Sequence, residues 1–183
     1  MQPGDNPLNW ETMAVYDAAT EDSVDPLLSK NFRLSEFTTS ETAARLGISM
    51  DLSVEDPAYL NLINLCVDIL QPLRDRLRKP LIITSGYRPK KLNKAIGGSK
   101  HSQHIQGLAA DFIVPNMKPI DVAQKIIDMD LPFDQLIHEF GRWVHVSIPQ
   151  IRSQRRSQSM TAIKNKTLIG YTTEYLPGIQ PVA

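Results

Sequence analysis

The sequence predicts an α+β domain in which a small antiparallel sheet packs against helices. Three observations support this fold class: a long amphipathic pattern with three- and four-residue spacing, several short β-branched runs between turns, and mostly helices followed by mostly strands. A length of 183 residues suits one domain with extensions. We predict an N-terminal extension over residues 1–30, the domain over 31–150, and a C-terminal extension over 151–183 whose strands pack on the domain.

Two helices are predicted in the first half of the domain. Thr38, with Glu41 three residues later, resembles a capping box and predicts a helix over 38–46 that ends at a glycine. An Asp-Pro pair opens a second, longer helix over 57–77, in which apolar residues step by three and four. Pro72 lies inside this second helix and should kink it.

The rest of the chain alternates shorter elements. Runs of aliphatic and β-branched residues predict strands, and glycine or proline punctuation separates them from short helices. The predicted elements are strands over 81–84, 109–114, 135–139 and 143–148, helices over 89–96 and 121–129, and a last strand pair near 160–163 and 167–171.

Composition excludes several classes of protein. The 20 basic residues balance the 20 acidic ones and are not interleaved with aromatics, so we expect no nucleic-acid partner. No apolar run reaches transmembrane length and no Sec-type signal peptide is visible, so we expect no membrane partner and synthesis in the cytoplasm. The single cysteine, Cys66, excludes an internal disulfide and should be a buried apolar residue. We expect a monomer.

Four chemistry-bearing side chains lie in two segments of the domain. His104 and Asp111 flank a turn at Gly107, and Glu139 and His145 follow in the next strand pair. Two imidazoles and one carboxylate are the ligand set of a catalytic zinc site, and a further carboxylate would serve for proton transfer. Apolar residues surround Asp111, so an unpaired charge there would be costly. The alternative is a loop histidine with a capping aspartate.

These residues belong to a series of motifs in a fixed order. The motifs are Ser85-Gly86-Tyr87-Arg88, Asn93 with Gly97-Gly98-Ser99, Ser102-x-His104-x-x-Gly107-x-Ala109-x-Asp111, and Trp143-x-His145. The series resembles the M15 peptidases, zinc D-alanyl-D-alanine carboxypeptidases and phage L-alanyl-D-glutamate endolysins, over about two-thirds of the chain. The resemblance implies the fold shared with the hedgehog signalling domain, cell-wall peptides as substrate, and His104, Asp111 and His145 as ligands of Zn²⁺.

The motifs leave two candidates for the general base, Glu139 and His138. Family members often place an acidic residue or a histidine three positions before the last ligand, where this chain has Arg142. A three-residue hairpin loop would pair Glu139 with Trp143 and put Glu139 on the sheet face of His145. A two-residue loop would bring His138 to that face instead. We favour Glu139 as the base, and His138 is otherwise a strand residue with a satisfied hydrogen bond.

Three more residues are candidates for substrate binding. Arg88 is predicted to clamp a substrate carboxylate, because a planar guanidinium binds carboxylate through two hydrogen bonds. Its alternative role is a structural ion pair. Ser102 and Tyr87 are candidates for substrate hydrogen bonds, and local roles in turns are the alternative for both.

Together these features predict a zinc metallopeptidase that hydrolyses peptide bonds in peptidoglycan stem peptides. The absence of a signal peptide fits a phage lysis or entry protein acting on the bacterial cell wall, or a cytoplasmic enzyme acting on recycled wall fragments. The alternative is a non-catalytic, zinc-stabilised module that binds the cell wall or forms part of a virion. A base that reaches the open side of the metal would distinguish the enzyme from the module.

Overall fold

A computed structural model describes residues 25–168 and 170–182 and confirms the α+β class. Up to residue 24, the predicted N-terminal extension lies outside the described residues. In chain order the elements are β1 (Leu27–Ser29), β2 (Phe32–Arg33), α1 (Leu34–Thr38), α2 (Glu41–Leu46), α3 (Pro57–Leu65), α4 (Gln71–Leu77), β3 (Ile82–Ser85), α5 (Lys90–Ala95), β4 (Ala109–Ile113), α6 (Pro119–Asp128), β5 (Gln135–Glu139), β6 (Trp143–Ser147), β7 (Gln158–Thr167) and β8 (Gly170–Pro177). Within the described residues there are also a π-helix at Cys66–Leu70 and 3₁₀-helices at Gln103–Gln106 and Arg152–Gln154.

The main sheet has six strands in the described part of the chain, in the order β3-β4-β6-β5-β7-β8. Neighbouring strands are antiparallel except β5 and β7, which run parallel. The sheet is therefore mixed and larger than the small antiparallel sheet that the sequence predicted. The C-terminal strand pair is present, but it is much longer than predicted. The remaining pair, β1 and β2, forms a separate two-stranded sheet.

The helix predicted over 38–46 is divided into two. Thr38 ends α1, where its hydroxyl donates a hydrogen bond to the Leu34 carbonyl at 3.2 Å. Ser40 is the residue that caps α2, since its Oγ accepts the Ala43 N–H at 3.2 Å. The predicted end is confirmed, because Gly47 adopts a left-handed conformation with φ of 61°. The Thr38 capping box was wrong because that hydroxyl is already used inside the preceding turn.

The long predicted helix is interrupted by a π-helix. Asp56 caps its start by accepting the Ala58 N–H at 2.8 Å, as predicted. Pro72 has no N–H to donate to the preceding turn, and the chain widens to π geometry over Cys66–Leu70 just before it. Cys66 lies in this π-helix and is fully buried, which confirms its apolar role. Burial also raises the pKa of its thiol well above the ordinary value, so it remains protonated.

The main hydrophobic core lies between the helices and one face of the six-stranded sheet. Strand residues that point to this face include Ala110, Phe112, Leu136, Val144 and Val146, and all are fully or almost fully buried. Alternation along each strand turns their neighbours to the opposite face. That opposite face carries Asp111, Glu139 and His145. No helix in the described ranges is long and apolar enough to cross a membrane.

Candidate metal centre

His104 is held by a short helix that ends in a tight glycine turn. It lies in the 3₁₀-helix Gln103–Gln106, and Gly107 follows with φ of 68°. A Cβ at Gly107 would lie 2.3 Å from the Ala58 carbonyl oxygen, so close packing as well as conformation requires glycine there. The Nδ1 of His104 lies 2.7 Å from the Gly86 carbonyl oxygen. Since that oxygen can only accept, Nδ1 carries the proton and Nε2 is free to bind a metal.

Asp111 and His145 lie directly opposite each other on neighbouring strands. Asp111 on β4 pairs with His145 on β6, which places both side chains on the same sheet face. The His145 Nδ1 lies 2.8 Å from Asp111 Oδ1, and the His104 Nε2 lies 3.3 Å from the same oxygen. The two histidine nitrogens are 3.2 Å apart. Asp111 and His145 thus form one buried cluster with His104, although they lie 7 and 41 positions after it in the chain.

The geometry of this cluster fits a tetrahedral metal ion. Zinc–nitrogen and zinc–oxygen bonds of about 2.0–2.1 Å place tetrahedral ligand atoms about 3.3–3.4 Å apart. The distances between the three donor atoms are 2.8, 3.2 and 3.3 Å. His104, Asp111 and His145 are each less than a tenth exposed, so their donors converge in a site shielded from bulk water. Three protein donors leave one tetrahedral position for water or substrate.

The protonation states in the cluster also suit metal binding. Burial lowers the pKa of His104 from its ordinary value, which favours the neutral imidazole that a metal requires. Burial alone would raise the pKa of Asp111, but the charges and hydrogen bonds of His104 and His145 lower it far below its usual range. Asp111 is therefore a carboxylate at neutral pH.

Arg88 lies against the cluster and contacts one of its members. Its guanidinium donates to Asp111 Oδ2 at 2.7 Å and to Ser85 Oγ at 2.9 Å. The backbone N–H of Arg88 also donates to the His104 carbonyl at 3.0 Å. The arginine thus binds the oxygen of Asp111 that does not face the histidines. Its predicted role as a substrate clamp stays a prediction, and the ion pair gives it a second task in orienting Asp111.

The hairpin between β5 and β6 has the register that places Glu139 with the cluster. Glu139 pairs with Trp143, and Ile137 pairs with His145, so the prediction of a three-residue loop is confirmed. Glu139, Trp143 and His145 share one sheet face. His138 pairs with Val144 on the core face, where its Nδ1 lies 2.9 Å from the Gln180 carbonyl oxygen. The two-residue loop that would have turned His138 toward His145 is therefore wrong.

The environment of Glu139 makes its carboxylate more basic than usual. Burial raises its pKa above the ordinary value, and the negative charge of Asp111 raises it further. His145 and Arg88 oppose this shift without cancelling it. Trp143, which pairs with Glu139 across the hairpin, also opposes the shift. A carboxylate whose pKa is moved toward neutrality is suited to accept a proton.

Tyr87 and Ser102 lie in segments without regular structure, next to Arg88 and two residues before His104 respectively. The Tyr87 side chain is half-buried against the core, and burial followed by the charge of Asp56 raises the pKa of its phenol. Ser102 precedes the helix that carries His104 and borders a groove of about 870 Å³. His104, Asp111 and His145 do not line that groove. The structure thus leaves the substrate-binding roles of both residues as predictions.

Two neighbours of the cluster carry no motif that pointed to them. Asp134 is almost fully buried and forms an ion pair with Arg156, and its Oδ2 accepts the Gln103 amide at 2.9 Å. Gln103 directly precedes His104, so this contact supports the segment that carries His104. The second neighbour is Tyr175 on β8, whose pKa is raised by burial and then by the charges of Glu139 and Asp111. The positions of Asp134 and Tyr175 near the cluster depend on strand pairing between distant segments. No local pattern in the sequence shows such pairing.

The fold and the cluster agree with a comparison against known families. Residues 30–147 match the family model described as peptidase M15, and this match covers more than half of the chain. The chain belongs to the peptidase M15 family, a family of metal-dependent peptidases. No curated protein matches it. The matched range contains all three clustered residues, Glu139 and Arg88, and it ends before the C-terminal hairpin of β7 and β8 begins.

Proposed function

We propose that this protein is a zinc metallopeptidase that hydrolyses peptide bonds in the stem peptides of peptidoglycan. One observation carries the proposal. His104, Asp111 and His145 offer three donor atoms within 4.8 Å of one another, and Glu139 lies on the same sheet face with a raised pKa. A metal site with an adjacent base is the arrangement with which metallopeptidases hydrolyse a peptide bond.

In this proposal the three clustered residues hold Zn²⁺. The ion, when bound, would lower the pKa of water toward about 7 and polarise the scissile carbonyl. Gly86 keeps His104 in the tautomer whose Nε2 faces the cluster. Arg88 holds the outer oxygen of Asp111, which leaves Oδ1 directed at the histidines.

The proton transfers belong to Glu139. Its carboxylate accepts a proton from the attacking water and then donates that proton to the leaving amine, so it returns to its starting state. A raised pKa assists the first step, because a more basic carboxylate takes the proton of the water more readily. Arg88 would bind a substrate carboxylate with the guanidinium N–H groups that Asp111 and Ser85 do not use. Ser102 and Tyr87 are candidates for hydrogen bonds to the substrate backbone.

The substrate class comes from the resemblance to the M15 peptidases. Its members include D-alanyl-D-alanine carboxypeptidases and L-alanyl-D-glutamate endolysins, and we propose one of these two bond types for this chain. The protein would be made in the cytoplasm, would act on the bacterial cell wall as a monomer, and would be phage-encoded if it acts in lysis. The rival proposal is a zinc-stabilised module that binds the cell wall without turnover.

Digestion of purified peptidoglycan tests the proposal and separates it from its rival. We expect soluble products from the intact protein, loss of products after treatment with a chelator, and recovery on addition of Zn²⁺. The masses of the products identify the bond that is cleaved. Binding of peptidoglycan without any product would favour the non-catalytic module.

A matched pair of variants then tests the base. Glu139→Gln should retain the metal and lose about 10²–10⁴-fold in rate, the usual contribution of a general base. His138→Gln is the control, because this neighbouring side chain points to the opposite face and contacts the Gln180 carbonyl. If His138→Gln were inactive while Glu139→Gln retained full activity, the assignment of the base would be wrong.

A further inference from the structure

The hairpin of β7 and β8 extends the sheet face on which the metal centre lies. Ala162 on β7 pairs with Glu139 on β5 and with Tyr175 on β8. Trp143, Glu139, Ala162 and Tyr175 therefore form one row across four adjacent strands. At about 4.8 Å between strands, the Cα atoms of Glu139 and Tyr175 are about 10 Å apart, and only the small alanine side chain stands between them.

Tyr175 is placed to contact a molecule bound at Glu139. Its side chain is 54% exposed, so the phenol is available to a ligand. The strand register puts its side chain on the sheet face of Glu139. Burial of its remaining surface and the charges of Glu139 and Asp111 raise its pKa. A phenol with a raised pKa stays protonated at neutral pH and donates a hydrogen bond.

A lysine lies next to this phenol on the same face. Lys164 pairs with Thr173, two positions from Tyr175, so the two side chains are diagonal neighbours. The Lys164 ammonium lies 4.9 Å from the ring centroid of Phe140, and that ring contacts Trp143 edge-on at 5.5 Å. The cation is thus held at the rim of the site, beside the loop that follows Glu139. A hydroxyl donor and an ammonium side by side are complementary to a carboxylate.

We propose that the C-terminal hairpin forms a wall of the substrate-binding site, where Tyr175 and Lys164 bind a carboxylate of the peptide substrate. This inference rests on the proposed function for the identity of the substrate. It assigns substrate recognition to a segment that begins after the range shared with the M15 family model. The wall lies beside Glu139, whereas Arg88 lies beyond the metal ligands on the side of β3 and β4.

The hairpin itself supplies matched controls. Tyr171 and Lys166 pair with each other on the same face, further toward the tip of the hairpin. The test compares Tyr175→Phe and Lys164→Gln with Tyr171→Phe and Lys166→Gln in the full chain. The substrates are a stem peptide with a free side-chain carboxylate and the same peptide with that carboxylate amidated.

We expect Tyr175→Phe and Lys164→Gln each to raise KM for the free peptide by about threefold to tenfold, the effect of one lost hydrogen bond or contact. We expect kcat to stay within about twofold and the effect to shrink on the amidated peptide. The two control variants should match the unaltered protein. Unchanged KM in both test variants, or equal increases in the controls, would overturn the inference.

A binding measurement separates this inference from the proposed function. Calorimetric titration of the free peptide into Glu139→Gln protein, with and without Tyr175→Phe, reports recognition without turnover. If the unaltered protein hydrolyses the peptide but Tyr175→Phe does not change the affinity, the proposed wall is refuted and the peptidase proposal stands. If the unaltered protein does not cleave the peptide but Tyr175→Phe weakens peptide binding, the peptidase proposal is refuted and the proposed wall stands.

Discussion

Replacement of Arg88 by lysine separates the two tasks that the structure allows this arginine. The guanidinium bonds Asp111 Oδ2 at 2.7 Å and Ser85 Oγ at 2.9 Å, through two different nitrogens. A lysine ammonium is a single point of contact and cannot reproduce both bonds in the same geometry. The Arg88 side chain is only 15% exposed, so water replaces the lost contact poorly. Arg88→Lys therefore removes one charged hydrogen bond from a shielded site.

The loss of one charged hydrogen bond sets the size of the expected effect. A hydrogen bond to a charged group contributes about 1.5–3 kcal/mol, which corresponds to about 10- to 150-fold in an equilibrium constant. If Arg88 orients Asp111, this loss falls on the affinity for Zn²⁺ and lowers activity equally on free and amidated peptides. If Arg88 also clamps the substrate, an additional rise in KM appears on the free peptide and is absent on the amidated one.

Two measurements read these outcomes independently. Competition with a chromophoric chelator gives the zinc affinity, and kinetics on the two peptides give the substrate effect. Arg76→Lys, at an exposed position on α4, is the control for a general effect of the exchange. We expect a weaker metal site in Arg88→Lys. Unaltered zinc affinity together with unaltered kinetics on both peptides would refute both roles of Arg88.

Two further substitutions test the support of the site. Gly107→Ala should lower the melting temperature by several degrees, because it adds a left-handed alanine and a contact of 2.3 Å with the Ala58 carbonyl. Gly97→Ala, with φ of 73° and open space around it, should cost clearly less, and equal losses would refute the packing argument. Asp134→Asn should lower the free energy of unfolding by about 1–2 kcal/mol in urea denaturation at pH 7. The expected loss is smaller than for a fully buried ion pair, because Arg156 is half-exposed and water weakens the interaction. Burial alone would raise the pKa of Asp134, but Arg156 and other partners lower it. The ionised carboxylate therefore stabilises the folded protein fully above the ordinary pKa near 3.9. This stabilisation is lost as the pH falls through the lower pKa of the folded state. A difference between Asp134→Asn and the intact protein that grew on acidification would contradict this linkage.

Local patterns in the sequence predict the features of the fold that depend on neighbouring residues. The register of the β5–β6 hairpin follows from its loop length, and a three-residue loop is enough to place Glu139 on the face of His145. The end of α2 at Gly47 and the start of α3 at Asp56 are also local signals, and both are confirmed. Each depends on backbone geometry within a few residues, where residue type has a strong physical effect.

Features that depend on pairing between distant segments could not be predicted in the same way. Strand alternation shows which residues share a face, but it does not show which strand lies beside which. The parallel pairing of β5 with β7 was therefore missed, and so was the position of Tyr175 beside Glu139. The ion pair of Arg88 with Asp111 joins residues 23 positions apart, and sequence offered it only as one of two roles.

The contacts of Asp134 explain how the C-terminal hairpin acquires its register. The carboxylate of Asp134 binds the backbone N–H and the side chain of Arg156, and its backbone carbonyl accepts the Gln158 N–H at 2.9 Å. Gln158 then pairs with Gln135, and this pairing sets the alignment of β7 along β5. A slip of one residue would turn Tyr175 to the opposite face. Asp134 therefore fixes the position of the proposed substrate wall, although it lies at the opposite end of β5 from Glu139.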